Sequence, residues 1–440
     1  MPSHRSTPLT DEIRRCHSWL KSHGQAPPEI AIDRLPNPEF TIAGRPFLSF
    51  SSNNYLGLST RPEVIESGRE AIGRHTMGTC ESRRLGGNLR LLEELEERIA
   101  RFKGGKAAMV FATGLLANVA TIPGLMRAQH FSHHFFNKPP DETPPGLILS
   151  DALNHRSIQM GITLAKTPCH RYRHGDMDHL AALLEENQGQ KILIVTDAVF
   201  SMDGDLAPLD QITRLAGRYQ ATVMIDDAHG TGLFGPNGRG VAEHFGVEDH
   251  IQIHMGTLSK AAGALGGFVV AEPEIIAFLK LSASGYRFTS SLPAEQAAGI
   301  ITAFDIMEQE PSLRQQLWKN TFATLKGMLA LGLDIPLRPS PIIPILLGSE
   351  EKATMAADIL YQKGLLCVAA TPPLVPQGES RLRVTINASH TPQHIEKLLM
   401  GLQEMADRLK LPPKAWREGA WLDFIQSTPA YIRHMIEEKP

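Results

Sequence analysis

The sequence predicts an α/β protein, with a large domain built on a mainly parallel sheet covered by helices on both faces and a smaller α+β domain after it. Short apolar runs alternate with helix-length segments between about residues 60 and 300. Uninterrupted apolar runs are typical of strands that are buried on both faces of a parallel sheet. Six such runs occur: AAMVFAT, GLILSD, KILIVTDA, ATVMIDD, IQIHMGT and GGFVVAE.

The same patterning divides the chain into three parts. Residues 1–58 are expected to form an N-terminal helix, over about 8–22, and a Pro-rich connector. Residues 59–300 are expected to form the large domain, and residues 301–440 the small domain with a helical tail. This order of elements, with strands and helices alternating first and mixed later, indicates a large α/β domain followed by a smaller α+β domain.

Local patterns add further expectations. Amphipathic periodicity predicts helices over 61–74 and 88–103. The segment 130–146 contains two Pro pairs and no periodicity, which indicates a surface insertion. The aromatic residues of the last thirty positions predict a helix docked on the protein. The strands expected after residue 300 are PIIPILLG, LLCVAA and RLRVTIN.

Bulk composition excludes several classes of protein. The 440 residues carry a net charge of −3, so no overall field favours nucleic acid or an anionic membrane. No apolar stretch reaches the roughly 18 residues of a membrane-spanning helix. The first twenty residues lack the apolar centre of a secretory signal, and the four cysteines form no CxxC pair. We therefore expect a cytoplasmic protein with no nucleic-acid partner, no membrane span and no metal site.

Chemically useful residues follow three of the predicted strands. KILIVTDA leads into AVFSMDGD, ATVMI leads into DDAHGTG, and IQIHM leads into GTLSKAAGALGG. In α/β proteins, ligands bind at the carboxyl ends of parallel strands. Lys260 lies there among small residues, which let a planar group approach the backbone. A lysine that is desolvated at such a position has a lowered pKa suited to Schiff-base formation.

The residues around Lys260 match the requirements of pyridoxal 5'-phosphate (PLP). Asp226 can pair with a protonated pyridine nitrogen, and that positive charge makes the cofactor an electron sink. His229, three residues further on, can form a hydrogen bond with the phenolic oxygen of the ring. An acid, an imidazole and an amine on adjacent strand ends therefore predict a PLP enzyme.

The cofactor phosphate requires a site of its own. The sequence FATGLLANVA indicates a strand, a turn and the start of a helix. The amides of Gly114 and Leu115 would then point outward at the positive end of that helix, where phosphates bind. Thr257 adds a hydroxyl group, and His155, which follows the strand GLILSD, is placed to stack on one face of the ring.

Seven motifs occur in a fixed order between about residues 40 and 395. They are FSSNNYLGLSTRPEVI, ATGLLAN, LSDALNHRSI, VFSMDGDLAPL, DDAHGTGLFG, GTLSKAAGALGG and RLRVTINASH. This series resembles that of the α-oxoamine synthases, which are fold-type I, aspartate-aminotransferase-like, PLP-dependent transferases. Each motif is short, but their shared order over most of the chain makes the resemblance specific.

The resemblance implies roles for the matching residues. Lys260 would hold the cofactor and act as general base, and His155 would stack on the ring and help to hold the substrate. Asp226 would bind the ring nitrogen, while His229 and Ser201 would bind the phenolic oxygen. The complete set of implied cofactor-binding residues is Gly114, Leu115, His155, Ser201, Asp226, His229, Thr257, Lys260, Thr289 and Ser290.

The resemblance also implies substrates and a partner. Arg383 would clamp the amino-acid carboxylate bidentately, with Asn53 nearby. Because family members are homodimers that share their active sites, Thr289 and Ser290 would reach the phosphate of the partner subunit. The expected reaction condenses a small amino acid with an acyl thioester of CoA or a carrier protein, and loss of CO2 gives an α-aminoketone.

Several alternatives remain open at this point. An activity like that of 8-amino-7-oxononanoate synthase is expected first. The alternatives are a serine palmitoyltransferase-like or autoinducer-forming synthase, a 2-amino-3-ketobutyrate CoA ligase, and an aminotransferase of the same fold. Arg381 competes with Arg383 for the carboxylate, and Asn54 competes with Asn53.

The sequence disfavours a metal site and a dinucleotide-binding site. The histidines at 130, 133 and 134 suggest a metal site, but no cysteine or carboxylate stands at ligand spacing. Residues 230–235 fit GxGxxG, but Pro236 and Gly238 follow where a dinucleotide site needs the start of a helix.

Overall fold

The computed structural model describes residues 7–22, 30–32, 37–128 and 146–437. The strands are β1 Glu39–Ile42, β2 Arg45–Ser49, β3 Ala107–Phe111, β4 Gly146–Asp151, β5 Cys169–Tyr172, β6 Lys191–Asp197, β7 Thr222–Asp226, β8 Ile253–Thr257, β9 Gly267–Ala271, β10 Ile342–Gly348, β11 Leu365–Leu366, β12 Val368–Ala370 and β13 Ser380–Thr385.

The helices alternate with these strands in the first part of the chain and dominate its end. They are α1 Pro8–Ser22, α2 Pro62–Arg74, α3 Arg90–Lys103, α4 Gly114–Met126, α5 Arg156–Ala165, α6 Met177–Glu186, α7 Leu209–Tyr219, α8 Val241–Phe245, α9 Pro273–Ser282, α10 Ser284–Arg287, α11 Ala294–Gln309, α12 Pro311–Ala330, α13 Glu350–Gln362, α14 Pro392–Arg408, α15 Ala420–Ser427 and α16 Ala430–Glu437.

A seven-stranded sheet in the order β3-β9-β8-β7-β6-β4-β5 forms the centre of the molecule. Every pairing is parallel except those of β9, which runs antiparallel to both β3 and β8. Successive residues point to opposite faces, and both faces are buried: Ile194 packs in one core and Val195 in the other. The predicted α/β fold with a mainly parallel sheet is thereby confirmed.

Two smaller sheets lie outside this centre. Strands β10, β13 and β12 form an antiparallel sheet, while β1, β2 and β11 form another, in which β11 runs parallel to β2. The run LLCVAA, predicted as one strand, is therefore two short strands that belong to different sheets. The break comes at Cys367, where the chain leaves β2 and turns to pair with β13.

Helix α11 passes through the predicted domain boundary at residues 300/301 and packs on α2 and α3. The division into 1–58, 59–300 and 301–440 stays a prediction. The tail is docked as two helices rather than one, because Pro429 separates α15 from α16. Ile432 in α16 is fully buried against the main core.

The predicted insertion at 130–146 lies outside the described residues, except for its last residue. Gly146 already belongs to β4, so the insertion cannot extend that far. The histidine cluster at 130, 133 and 134 also lies outside the described part. Within the described ranges, no helix is long and apolar enough to cross a membrane.

Candidate active site

A cavity of about 300 Å³ opens at the carboxyl edge of the central sheet. Parallel pairing brings the ends of β6, β7 and β8 together there, with Asp197 directly opposite Asp226 in the register. The cavity is lined by eight of the residues that the sequence predicted: Gly114, Leu115, His155, Ser201, Asp226, His229, Thr257 and Lys260.

Lys260 stands three residues beyond β8, in a turn closed by a hydrogen bond from Gly263 N to Lys260 O of 2.9 Å. Gly263 has a φ of +69°, and a Cβ there would lie 2.3 Å from Ser59 N, so the turn admits only glycine. Burial lowers the pKa of the Lys260 amine to about 8, although the nearby Asp226 and Asp197 oppose this shift. The amine is thus far more readily neutral than that of an exposed lysine.

Asp226 is buried and held in one orientation by two hydrogen bonds. Its Oδ2 accepts from Asn118 Nδ2 at 2.7 Å, and its Oδ1 accepts from Ala228 N at 3.0 Å. Asn118 Nδ2 also lies 2.9 Å from Ser157 Oγ, which is 2.7 Å from His155 Nδ1. A chain of polar contacts therefore joins the Asp226 carboxylate to the imidazole of His155.

His155 caps the start of α5, and its backbone is bonded to Asp197 at the end of β6. Its backbone N donates to Asp197 Oδ2 at 2.9 Å, and its Nδ1 accepts from Ser157 N at 3.3 Å. Burial, together with the charge of Asp226, raises the pKa of the Asp197 carboxyl well above its usual range. Desolvation lowers the pKa of His155, against the attraction of Asp226. This arrangement fixes the position of an imidazole at the cavity wall.

His229 lies deeper in the site, against Tyr55. Its Nδ1 is 2.7 Å from the Tyr55 hydroxyl, and the two rings meet edge to face. Burial, and then the charges of Lys260 and Arg383, lower the pKa of His229 well below its usual value. Burial raises the pKa of Tyr55 to about 12. Both groups are therefore neutral near pH 7, and His229 can act as a neutral hydrogen-bonding group.

The start of α4 presents backbone amides to the cavity. Thr113 caps the helix by accepting from Leu116 N at 3.0 Å, which leaves the amides of Gly114 and Leu115 at the cavity wall. Thr257 Oγ1 lies 2.9 Å from Ser259 Oγ and donates to Gly266 O at 3.0 Å. Amides and hydroxyl groups at the positive end of a helix can bind a phosphate.

Gly114 offers a direct test of this anion site. A Cβ there would lie 2.8 Å from Thr257 Oγ1, and Thr257 is already held by Gly266. Gly114→Ala is expected to cost about 1–3 kcal/mol through overpacking and to weaken PLP binding about tenfold, measured by titrating the apoprotein. Gly217→Ala, which meets nothing within 4 Å on helix α7, is the control. Unchanged affinity in Gly114→Ala would contradict the assignment.

Arg383 and Asn53 lie together beside the cavity. Arg383 Nη2 donates to Asn53 Oδ1 at 3.1 Å, and its Nε donates to Ser201 O at 2.6 Å. The competing residues are bonded to other partners. Arg381 is paired with Asp203 and Glu379, and Asn54 Nδ2 donates to Ser59 Oγ at 2.8 Å. Of the open pairs, Arg383 and Asn53 are therefore the members placed near the site.

Thr289 and Ser290 do not line this cavity in a single chain. Ser290 instead forms an isolated bridge with Ser82. Other residues that do line it had not been singled out, namely Thr113, Ser157, Val199, Asp197, Ala228, Met255, Ser259 and Leu265. The sequence pattern could have identified Asp197, because this residue ends an apolar strand just as Asp226 does.

The cavity fits PLP in three independent respects. It holds an amine of lowered pKa at Lys260 and an oriented carboxylate at Asp226. It also presents the start of α4 at Gly114, where the lack of a side chain leaves the backbone amides open to a phosphate and a Cβ would lie 2.8 Å from Thr257 Oγ1. The imidazoles of His155 and His229 complete the polar lining.

Comparison with known proteins agrees with this geometry. The sequence pattern of the family "Aminotransferase class I and II" matches residues 45–402. The chain is 36% identical over 381 residues to 8-amino-7-oxononanoate synthase 1 of Bacillus velezensis, covering 86% of this chain and 93% of that protein. It is 36% identical over 405 residues to 8-amino-7-oxononanoate synthase of Symbiobacterium thermophilum, covering 92% and 99%.

A solved structure of serine palmitoyltransferase from S. paucimobilis, with PLP bound as a myriocin adduct, superimposes with a TM-score of 0.84. It is 31% identical, and the match covers 92% of this chain and 100% of that chain. The strand ends that carry Lys260 and Asp226 thus belong to a fold that holds PLP in its relatives. This chain is a member of the class I and II aminotransferase family and, within it, of the PLP-dependent α-oxoamine synthases.

Proposed function

We propose that this enzyme condenses a small amino acid with an acyl thioester, releasing the thiol and CO2 and forming an α-aminoketone. The observation that carries the proposal is that Lys260 and Asp226 line one cavity while Arg383, hydrogen-bonded to the lining residue Ser201, stands beside it. Lys260 and Asp226 would hold PLP, which reacts with amino groups, and the guanidinium of Arg383 would bind the carboxylate of the amino acid. The identity to 8-amino-7-oxononanoate synthases over most of the chain supports the same reaction type.

The product of those relatives suggests the substrates. An 8-amino-7-oxononanoate has nine carbons, with a keto group at C7 and an amino group at C8. Alanine that has lost its carboxylate supplies C8, C9 and the amine. The remaining seven carbons correspond to an acyl group with a carboxylate at its far end. We therefore propose alanine and the half-thioester of a seven-carbon dicarboxylic acid as substrates.

The residues in and beside the cavity have the following proposed roles. PLP, when bound, supplies an electron sink for the electrons of the substrate Cα–H bond. Asp226, fixed by Asn118, holds a proton on the pyridine nitrogen, and the amides of Gly114 and Leu115 bind the phosphate. Lys260 Nζ takes the proton from the substrate Cα, because its amine is neutral at a pH where an exposed lysine is charged. Arg383 holds the substrate carboxylate.

We also propose that the enzyme is a homodimer. Thr289 and Ser290 lie outside the cavity of their own chain, which supports a homodimer in which they reach the partner's phosphate site.

The substrate thiol carrier is proposed to be CoA or a carrier protein, and the cellular location to be the cytoplasm. A serine palmitoyltransferase-like activity with a longer acyl chain is the second candidate, because the S. paucimobilis enzyme superimposes over its whole length.

The proposal is tested with a panel of glycine, alanine and serine against short, medium and long acyl thioesters, including the seven-carbon dicarboxylate. Products are identified by mass, and the released thiol is measured. We expect thiol release to be fastest with alanine and the dicarboxylate thioester. Conversion of the bound cofactor to its pyridoxamine form without thiol release would support an aminotransferase and overturn the proposal.

The lowered pKa of Lys260 predicts how the apoprotein reacts with PLP. Only the neutral amine adds to an aldehyde, so the rate should rise with pH up to about 8 and then level off. Asp226→Asn removes a charge that raises the Lys260 pKa and should move the midpoint to lower pH. Stopped-flow absorbance measures both. A rate that keeps rising above pH 10 would show that Lys260 behaves as an exposed lysine.

A further inference from the structure

The loop between β6 and α7 connects the cavity to the antiparallel sheet of β10, β12 and β13. It starts at Val199 and Ser201, which line the cavity, and it returns through a bridge between Val199 and Leu206. The carbonyl of Ser201 accepts from Arg383 Nε on β13 at 2.6 Å. Arg383 also donates to Thr385 Oγ1 at 3.0 Å and to Asn53 Oδ1 at 3.1 Å, so the loop supplies one of the three acceptors that orient its guanidinium.

The tip of the loop rests directly on the main chain of β10. Gly204 has a φ of +72°, and a Cβ there would lie 2.4 Å from Ile342 O and 2.8 Å from Ser340 Oγ. The turn is closed by a hydrogen bond from Gly204 N to Phe200 O of 2.8 Å. Because no side chain fits between the loop and the strand, the loop is packed directly against β10 at this point.

Charged residues hold the loop on both sides of this contact. Asp205 lies 3.4 Å from Arg338 and accepts from His174 Nε2 at 2.8 Å, while His174 Nδ1 is 3.0 Å from Asp151. Burial opposes protonation of this imidazole, but its two carboxylate partners raise the pKa of His174 to about 10. These groups anchor the loop to β4 and to the segment before β10.

Asp203 contacts the buried guanidinium of Arg381, which lies two residues before Arg383 on the same face of β13. Arg381 has a second carboxylate, Glu379, at 3.2 Å, but Glu379 is mostly exposed and lies on the same segment as Arg381. The ion pair with Asp203 therefore connects the loop to β13, whereas the ion pair with Glu379 connects only neighbouring residues of one segment.

We infer that Asp203 is a positioning residue for the binding of the amino-acid carboxylate. Through Arg381 it fixes the loop whose Ser201 carbonyl orients Arg383. This inference rests on the proposed function, in which Arg383 binds that carboxylate. The inference predicts that loss of Asp203 weakens the binding only of ligands that carry a carboxylate.

The test compares Asp203→Asn with Glu379→Gln, since each removes one carboxylate partner of the same arginine. The PLP-loaded enzyme is titrated with alanine or alaninamide, without acyl thioester, and binding is read from the visible absorbance of the cofactor. We expect Asp203→Asn to weaken alanine binding about 10- to 100-fold, which is the loss expected when a hydrogen bond between charged groups is impaired. Its alaninamide binding, and both affinities of Glu379→Gln, should equal those of wild type.

Two outcomes would overturn the inference: equal alanine affinities in Asp203→Asn and Glu379→Gln, or equal losses for alanine and alaninamide in Asp203→Asn. Asp203→Glu keeps the charge and should bind alanine better than Asp203→Asn does. If Asp203→Asn does not fold, Asp203→Ala takes its place under the same two criteria. Wild-type enzyme that binds alanine but forms no product with any thioester would refute the proposed function instead.

Discussion

Lys260→Ala is expected to lower the rate of condensation by about 10³- to 10⁴-fold while leaving the protein folded. The variant loses both the amine that bonds to the cofactor and the base that takes the substrate proton. The side chain lines a cavity, so its removal should change the thermal transition little. Product formation followed by mass, together with the visible absorbance of the purified protein, measures the effect.

Lys106→Ala is the matched control for this prediction. Lys106 is exposed and pairs at 2.9 Å with Glu272, far along the sheet from the cavity edge. Surface pairs of this kind contribute little, so the control should retain wild-type activity and absorbance. A Lys260→Ala protein that kept the absorbance of covalently bound PLP would show that another amine holds the cofactor.

Asp226→Asn should have the second-largest effect and lower kcat by about 10²- to 10³-fold, as expected when a charge that stabilises the transition state is removed. An asparagine at this position can still accept from Asn118 but cannot hold the proton on the pyridine nitrogen. The fold should therefore survive. Steady-state kinetics and thermal unfolding, measured on the same preparation, separate the two effects.

The neighbouring residue provides the contrast. Asp227 is fully buried and accepts from Lys103 Nζ at 2.7 Å, on the side of β7 away from the cavity. Asp227→Asn removes the negative charge that pairs with the buried Lys103 and should cost about 3–5 kcal/mol of stability. If Asp226→Asn lost stability to the same extent as Asp227→Asn and kept its activity, Asp226 would be a structural residue.

The sequence predicted the central sheet and much of the cavity for one physical reason. Strands buried on both faces are continuous apolar runs, and parallel pairing brings their carboxyl ends to one edge. Asp226 and Lys260 are therefore recognisable in the sequence as polar residues that follow apolar strands. Asp197 ends its strand in the same way, so the same pattern also predicts its place at the cavity.

Other contacts could not be predicted because they join residues far apart in the chain. Asn118 lies in the middle of α4 and reads as an ordinary helix residue, yet it holds Asp226, 108 positions away. Tyr55 meets His229 across 174 positions. Arg381 and Arg383 lie on the same face of β13, so strand periodicity could not separate them. The structure separates them, because Arg381 is already paired with Asp203 and Glu379.

The identity of the lysine that bonds to PLP is the claim on which the account depends most. Reduction of the PLP-loaded enzyme with borohydride, followed by proteolysis and peptide mass analysis, locates the modified residue directly. We predict a single phosphopyridoxyl group, on Lys260 in the peptide that contains GTLSK. Modification of a different lysine, or of none, would contradict the account.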